Sequence, residues 1–187
     1  MKTEPVTALG VLRLESQREA ERLPPLPPEL EHAETDPVLL RTAVNEDGHA
    51  VAQLVLNYGV YYASIQPRID DLGRVQPRYP LSAPVRDRVL VALAGAAAEK
   101  VHCPVLSFDE VQKLDAHDLV DACFLLARER KVLPTAPIVA ADLERYRPTA
   151  AKLVRAHWGW VRRVAAALVV ARRLTGDQIL ALKGTTR

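Results

Sequence analysis

Cysteine, excess charge and long apolar runs are all scarce in this chain of 187 residues. Its two cysteines, Cys103 and Cys123, form no CxxC pair, which argues against a disulfide framework and favours free thiols in a reducing cytoplasm. The formal net charge of +2 predicts no attraction to nucleic acid or to anionic lipid. The longest apolar runs, at residues 89–98 and 164–171, are far shorter than the ~20 residues that span a bilayer. Because the first residues also lack the apolar core of a secretory signal, we expect a cytoplasmic protein without a membrane segment.

The first 37 residues show little hydrophobic periodicity and contain a cluster of prolines. Four prolines between residues 24 and 28 favour an extended, polyproline-like segment. The remaining sequence has an ordinary globular composition and is long enough for one well-packed domain. We therefore predict a proline-rich arm at residues 1–37 and one domain at residues 38–187.

Most of the predicted domain has helical periodicity, with one short aromatic and β-branched segment. The predicted helices cover residues 39–57, 84–101, 115–130, 148–173 and 178–182. Strand signals at residues 60–65 and 74–78 flank a turn, which predicts a hairpin. The expected fold class is therefore mainly α (α+β), a helical domain with a small β-hairpin.

Residues 45–51 read NEDGHAV and resemble the zinc-binding helix motif H-E-x-x-H with one ligand changed. In that motif two histidines four residues apart share one helix face and bind zinc, and the glutamate acts as general base. Glu46 and His49 have this spacing, but Asn45 occupies the first histidine position. Gly48 inside a helix costs about 1 kcal/mol relative to alanine, so it predicts the close approach of a neighbouring backbone.

Further segments follow in the order found in the peptidase domain of FtsH-type ATP-dependent zinc proteases, which the chain resembles over about residues 38–182. The family's helix reads roughly HEAGHAV, and its next strand ends in Pro-Arg before a Leu-Gly, as residues 64–73 do here. Its LAGRAAE helix is similar to LAGAAAE at residues 93–99, and its Asn-Asp-Leu helix is similar to residues 116–119. A closing Leu-x-Gly-x-x-Ile segment matches residues 174–179. Neither the family's ATPase module nor its membrane segment is recognised.

The resemblance implies roles for the motif residues. Glu46 is expected to polarise the attacking water, and His49 and Asp118 are expected to be zinc ligands. Asn45 offers only a neutral amide oxygen, a poor substitute for imidazole, so we expect zinc binding to be weak or absent. His117 is a conceivable replacement ligand, but adjacent helical residues point about 100° apart, which argues against it.

Each of these residues also has a structural interpretation. A histidine on a helix, such as His49, is more often a hydrogen-bonded core or surface residue than a ligand. Asp118 lies near a predicted helix start, where the helix dipole alone favours an acid. Glu46 is also consistent with a solvated helix position.

The resemblance leaves two functions open. The first is a zinc metallopeptidase, impaired by Asn45, that holds peptide by β-augmentation on an edge strand with Tyr61, Ala63 and Ile65 as candidate contacts. The second is a pseudo-peptidase that binds or scaffolds protein segments without cutting them. A further possibility is that Asn45 replaces a histidine of the natural chain. The expected partners are peptide or protein segments, a second copy of the chain, and a separate ATPase.

Overall fold

The computed structural model describes residues 37–67, 72–80, 82–105 and 116–184. The predicted arm at residues 1–37 lies outside these ranges except for its last residue.

Helices dominate the described part of the chain, which confirms the predicted class. The helices are α1 (Pro37–Val55), α2 (Val85–His102), α3 (Ala116–Arg130), α4 (Pro137–Ala156), α5 (Trp158–Ala171) and α6 (Gly176–Ala181). The strands are β1 (Gly59–Ser64), β2 (Arg74–Arg78) and β3 (Arg173–Thr175). The first three helices agree closely with the predicted ones, although Asp115, the predicted start of α3, lies outside the described residues.

Helix α1 runs through the centre of the domain. Its residues 43–53 are all buried, and it packs against α2, α5 and both strands of the hairpin. A β-carbon added to Gly48 would lie 2.5 Å from the Ala94 carbonyl oxygen and 2.8 Å from the Ala98 β-carbon on α2. Real β-carbons do not approach other atoms this closely, so glycine permits the contact between α1 and α2. The predicted close approach of a neighbouring backbone at Gly48 is confirmed.

The sheet has the strand order β2-β1-β3, with antiparallel pairing on both sides of β1. The predicted hairpin is confirmed, since Gly59 pairs with Arg78 and Ser64 pairs with Arg74. The prediction that β1 is an edge strand is wrong, because Arg173 of β3 pairs with Ser64 from the other side. A strand of three residues carries too little periodicity to be recognised from sequence.

Because β1 is the central strand, the candidate substrate contacts on it differ in whether they are accessible to a substrate. Ala63 and Ile65 are completely buried in the core and cannot touch a substrate. Tyr61 is 57% exposed, because it occupies a bulge between Val60 and Tyr62. The outer strand on the hairpin side of the sheet is therefore β2. Arg68, part of the predicted Pro-Arg signature, lies outside the described residues.

The predicted long helix from residue 148 to 173 is wrong in its bounds. Pro148 lies inside α4, which begins eleven residues earlier with Pro137 in its first turn. An interior proline removes one backbone hydrogen bond, but a stripe of buried residues keeps the helix continuous across it. Those residues are Val139, Asp142, Leu143, Ala150 and Val154. The chain then leaves the helix at His157, and α5 starts at the next residue.

We expect Gly48→Ala to destabilise the protein, because the added methyl group meets the backbone of α2. Overpacking of this kind costs about 1–3 kcal/mol, which exceeds the gain of about 1 kcal/mol in helix propensity. Urea denaturation measures the change in the free energy of unfolding. Gly59→Ala is the matched control, since its new methyl group meets only the flexible side chain of Arg78. A Gly48→Ala variant as stable as the wild type would contradict the close approach of the helices.

Candidate functional site

The motif residues of α1 meet α3 at a buried polar cluster. Asn45, Glu46 and His49 are each at most 9% exposed, although all three are polar. Asp118 comes from the first turn of α3 and is 69 residues away from His49 in sequence. The structure therefore brings together His49 and Asp118, the two positions at which the sequence predicts zinc ligands of the family type.

Both ring nitrogens of His49 have protein partners. Nδ1 lies 2.7 Å from the carbonyl oxygen of Val91 on α2, and because a carbonyl only accepts, Nδ1–H donates this bond. Nε2 lies 2.9 Å from Oδ2 of Asp118. The imidazole thus joins α1 to α2 on one side and to α3 on the other.

The electrostatic interaction between His49 and Asp118 determines the protonation states of both side chains. Burial alone would lower the pKa of His49, but the charge and hydrogen bond of Asp118 outweigh it, with smaller contributions from Glu46 and Val91, and raise the pKa to about 10. Burial would likewise raise the pKa of the Asp118 carboxyl, yet the charge of His49 and its hydrogen bond hold that pKa below its usual value. At neutral pH the site therefore contains an imidazolium and a carboxylate, and both ring N–H groups donate.

Asn45 takes part in a second polar pair on the same side of α1. Its Nδ2 donates to Oε1 of Glu99 at 2.9 Å, and Nε of Arg41 donates to the other carboxylate oxygen. Glu99 is only 2% exposed, and buried carboxylates are stable only when charged or polar partners satisfy them. The sequence analysis did not recognise Glu99 or Arg41 as part of the site. An acidic residue after the apolar run of α2 is the signal that could have revealed them.

The backbone of α2 closes the space between Asn45 and His49. A β-carbon added to Gly95 would lie 2.3 Å from Nε2 of His49 and 2.9 Å from Nδ2 of Asn45. A methyl group therefore does not fit between these side chains and α2. Gly95 belongs to the LAGAAAE segment, so the same glycine that fits the sequence motif also allows this packing.

This arrangement does not fit a catalytic zinc ion. Such an ion needs three protein ligands at about 2.0–2.2 Å and an open position for water. Of the three family ligand positions only His49 and Asp118 carry a ligand of the family type, and the Asn45 amide nitrogen is a hydrogen-bond donor to Glu99. Across the described ranges, no group of three or more His, Cys, Asp or Glu side chains is arranged to hold a metal ion.

Glu46, the predicted general base, lies on the neighbouring side of α1. A β-carbon added to Gly73 would lie 2.6 Å from its Oε1, so the carboxylate packs against the residue that precedes β2. Burial lowers the pKa of His49, and the charge of Glu46 helps to raise it, although less than Asp118 does. Glu46 thus lies next to the hairpin, as a base acting on a strand-bound peptide would.

Asp47 is a buried acid that the sequence analysis did not single out. Its side chain is completely buried, and neither carboxyl oxygen has a hydrogen-bond partner among the residues that the structure describes. Burial first, and then the charge of Glu46, raise the pKa of Asp47 well above its usual value. The group is therefore held in its neutral form, which is the cheaper form to bury. The family pattern has alanine at this position, so Asp47 is a second departure from it.

Comparison with known proteins adds no family. Neither the protein-family models nor the curated proteins include a match to this chain. The FtsH-type resemblance therefore stays a prediction that rests on the motifs. None of the described helices combines the length and the apolar character needed to cross a membrane.

We expect the His49–Asp118 pair to stabilise the fold in a pH-dependent way. The pKa of His49 is raised on folding, so its contribution is complete below pH ~6.5 and is lost as the pH rises towards about 10. Asp118→Asn should lower the free energy of unfolding at pH 6 by roughly 1–3 kcal/mol. This is less than the ~3–5 kcal/mol of a fully buried pair, because the Asp118 side chain is 37% exposed.

Urea denaturation between pH 6 and pH 10 checks this expectation, and the difference between wild type and variant should shrink as the pH rises. Asp121→Asn is the control, since Asp121 lies one turn further along α3 and is exposed. A difference that stays constant with pH would show that the pair is not charged.

Proposed function

We propose that this protein is a pseudo-peptidase, a peptidase-like domain that binds protein or peptide segments without cutting them. One observation carries the proposal. The ring of His49 is hydrogen-bonded at both nitrogens and is packed against Gly95, so the nitrogen that would bind a metal is engaged in the contact between helices. The residues of the degenerate motif then serve to hold α1, α2 and α3 together.

The contacts of the motif residues favour binding over cleavage. Zinc peptidases lower the pKa of a water that the metal holds in an open coordination position, and three protein ligands hold that metal. Here the amide nitrogen of Asn45 donates to Glu99, and only His49 and Asp118 match the ligand types of the family. Two such ligands hold zinc weakly, so Glu46 would lack the metal-polarised water that a zinc peptidase deprotonates. Binding without cleavage is the activity that these residues support best.

The outer strand β2 is the surface that we propose for binding. Within the described sheet only one side of β2 is paired, so an extended segment can add to the other side by β-augmentation. Its exposed side chains are Arg74, Gln76 and Arg78, which alternate with partly buried Val75 and Pro77. Two arginines among three exposed positions favour an extended segment that carries acidic residues. Pro77 lacks an N–H, which limits the number of hydrogen bonds that this edge can donate.

An impaired zinc metallopeptidase is the second candidate. It is supported by the meeting of His49 with Asp118 and by the position of Glu46 beside the hairpin. This function needs α2 to move away from His49 at Gly95, and it needs a third ligand in place of Asn45. A cytoplasmic location, a second copy of the chain and a separate ATPase stay predictions from the sequence.

Metal content and peptide cleavage together test the proposed function. Protein purified without chelator and mixed with equimolar zinc is dialysed and analysed by mass spectrometry for metal. A fluorescein-labelled, glutamate-rich unfolded peptide then reports binding by anisotropy and cleavage by its mass. We expect no stoichiometric zinc, a rise in anisotropy and an intact peptide.

The variant Asn45→His restores the first histidine of the motif, and Gln66→His adds an exposed histidine elsewhere as its control. Zinc retained by Asn45→His but not by Gln66→His would show that the site descends from a metal site and is inactive for want of one ligand. Stoichiometric zinc in the wild type, together with cleavage that chelator abolishes, would refute the pseudo-peptidase and favour the impaired enzyme.

A further inference from the structure

A basic cavity lies where α2, α3 and α4 meet, away from the His49 cluster. Its volume is about 260 Å³. Its lining residues are Arg86, Arg130, Asp142, Arg145, Tyr146 and Thr149. Arg130 ends α3, whereas Asp118 lies in its first turn, and the helical rise separates them by about 18 Å. The cavity is therefore separate from the His49–Asp118 pair, and no residue of β2 is among its lining residues.

The spacing of residues on α4 builds one wall of the cavity. Asp142, Arg145, Tyr146 and Thr149 follow the i, i+3, i+4, i+7 pattern, so they share one helix face. The first turn of α2 supplies Arg86, and the end of α3 supplies Arg130. Three separate helices thus each contribute an arginine to the same concave surface.

Asp142 holds one of these arginines in a fixed orientation. Its carboxylate is 6% exposed and accepts two hydrogen bonds from Arg130, at 2.8 Å from Nε and 3.0 Å from Nη2. Nη1 of Arg130 takes no part in this bidentate pair. Nη1 of Arg145 lies 3.7 Å from the same carboxylate. The buried acid therefore positions the guanidinium group of Arg130 before any ligand arrives, which lowers the entropic cost of binding, and it attracts that of Arg145.

The cavity has an excess of positive charge. Three guanidinium groups face one carboxylate, which leaves two positive charges unbalanced among the lining residues. Arg86 makes no hydrogen bond or ion pair with the rest of the described chain, and it is exposed. The hydroxyl groups of Tyr146 and Thr149 add neutral donors. The lining thus offers many donors around an excess of two positive charges.

We propose that this cavity binds a phosphate group, as inorganic phosphate or as a small phosphate monoester. Planar guanidinium groups bind phosphate oxygens through paired N–H donors, and a dianion matches the excess of two positive charges. The volume lies just under the ~300–1,000 Å³ of drug-sized ligand pockets, so it suits a compact anion. A dicarboxylate has the same charge, but its two charges are further apart than those of phosphate.

Titration followed by backbone amide NMR tests the proposal. Inorganic phosphate, glycerol phosphate and succinate are added separately to the full chain at constant ionic strength and pH 7.5. We expect saturable shifts at α3 and α4 residues around the cavity with either phosphate, and weaker binding of succinate. Tighter binding of glycerol phosphate than of inorganic phosphate would assign the site to monoesters, and the reverse order would assign it to the free ion.

Two single substitutions and one control locate the binding. Arg86→Gln and Arg145→Gln each remove one guanidinium from an exposed side chain, and each should weaken phosphate binding by about tenfold or more. Arg155→Gln removes an exposed arginine from α4 outside the cavity, and the Kd should change less than twofold. Equal weakening by all three variants, no saturation up to about 10 mM phosphate, or tighter binding of succinate would overturn the proposal.

Discussion

The burial of α1 on all its sides is the constraint on which the rest of the structure depends. Eleven consecutive residues of this helix are buried, and five of them are polar or charged. Polar groups taken out of water are costly unless they are hydrogen-bonded, so the surrounding elements must supply partners. α2 supplies Val91 and Glu99, α3 supplies Asp118, and the start of β1 supplies the Gly59 carbonyl to Gln53. The elements around α1 are thus tied to it by specific polar contacts as well as by apolar packing.

Two glycines determine how closely these partners approach. Gly48 on α1 and Gly95 on α2 remove the β-carbons at which the two helices would otherwise collide. The resulting distance brings Gly95 against the side chains of Asn45 and His49. A catalytic cleft at this position would need the opposite arrangement, with open space over the ligands. The close helix packing therefore also holds Asn45 and His49 against α2, and this connects the fold to the proposed function.

Local periodicity predicts α1, α2, α3 and the hairpin, and the glycine inside α1 predicts the close packing at Gly48. Periodicity failed where contacts distant in sequence decide the outcome. β3 has three residues and forms only because α5 returns the chain to β1, which made the predicted edge strand central. α4 continues through Pro148 because its buried face packs well, which propensity alone does not register.

In the candidate site, too, local periodicity does not predict contacts between residues that are distant in sequence. The nearness of His49 and Asp118 followed from the resemblance, since no periodicity links residues 69 positions apart. Neither the resemblance nor any periodicity predicts the hydrogen bond between Asn45 and Glu99, which lie 54 positions apart. The sequence also gives no sign that Asp47 is buried without a hydrogen-bond partner among the described residues. The spacing of Glu46 and His49 in the motif is the same whether Asp47 is buried or exposed.

The protonation state of His49 is the most direct test of the account. Long-range ¹H–¹⁵N correlation spectra of the histidine rings, recorded from pH 6 to pH 11, identify the state of each nitrogen. The account predicts that both nitrogens of His49 stay protonated at pH 8 and that the ring titrates with a pKa of about 10. The shifts should be the same with and without equimolar zinc. A neutral His49 ring at pH 8 whose Nε2 resonance moves on addition of zinc would contradict it, because that nitrogen would then be free to bind a metal.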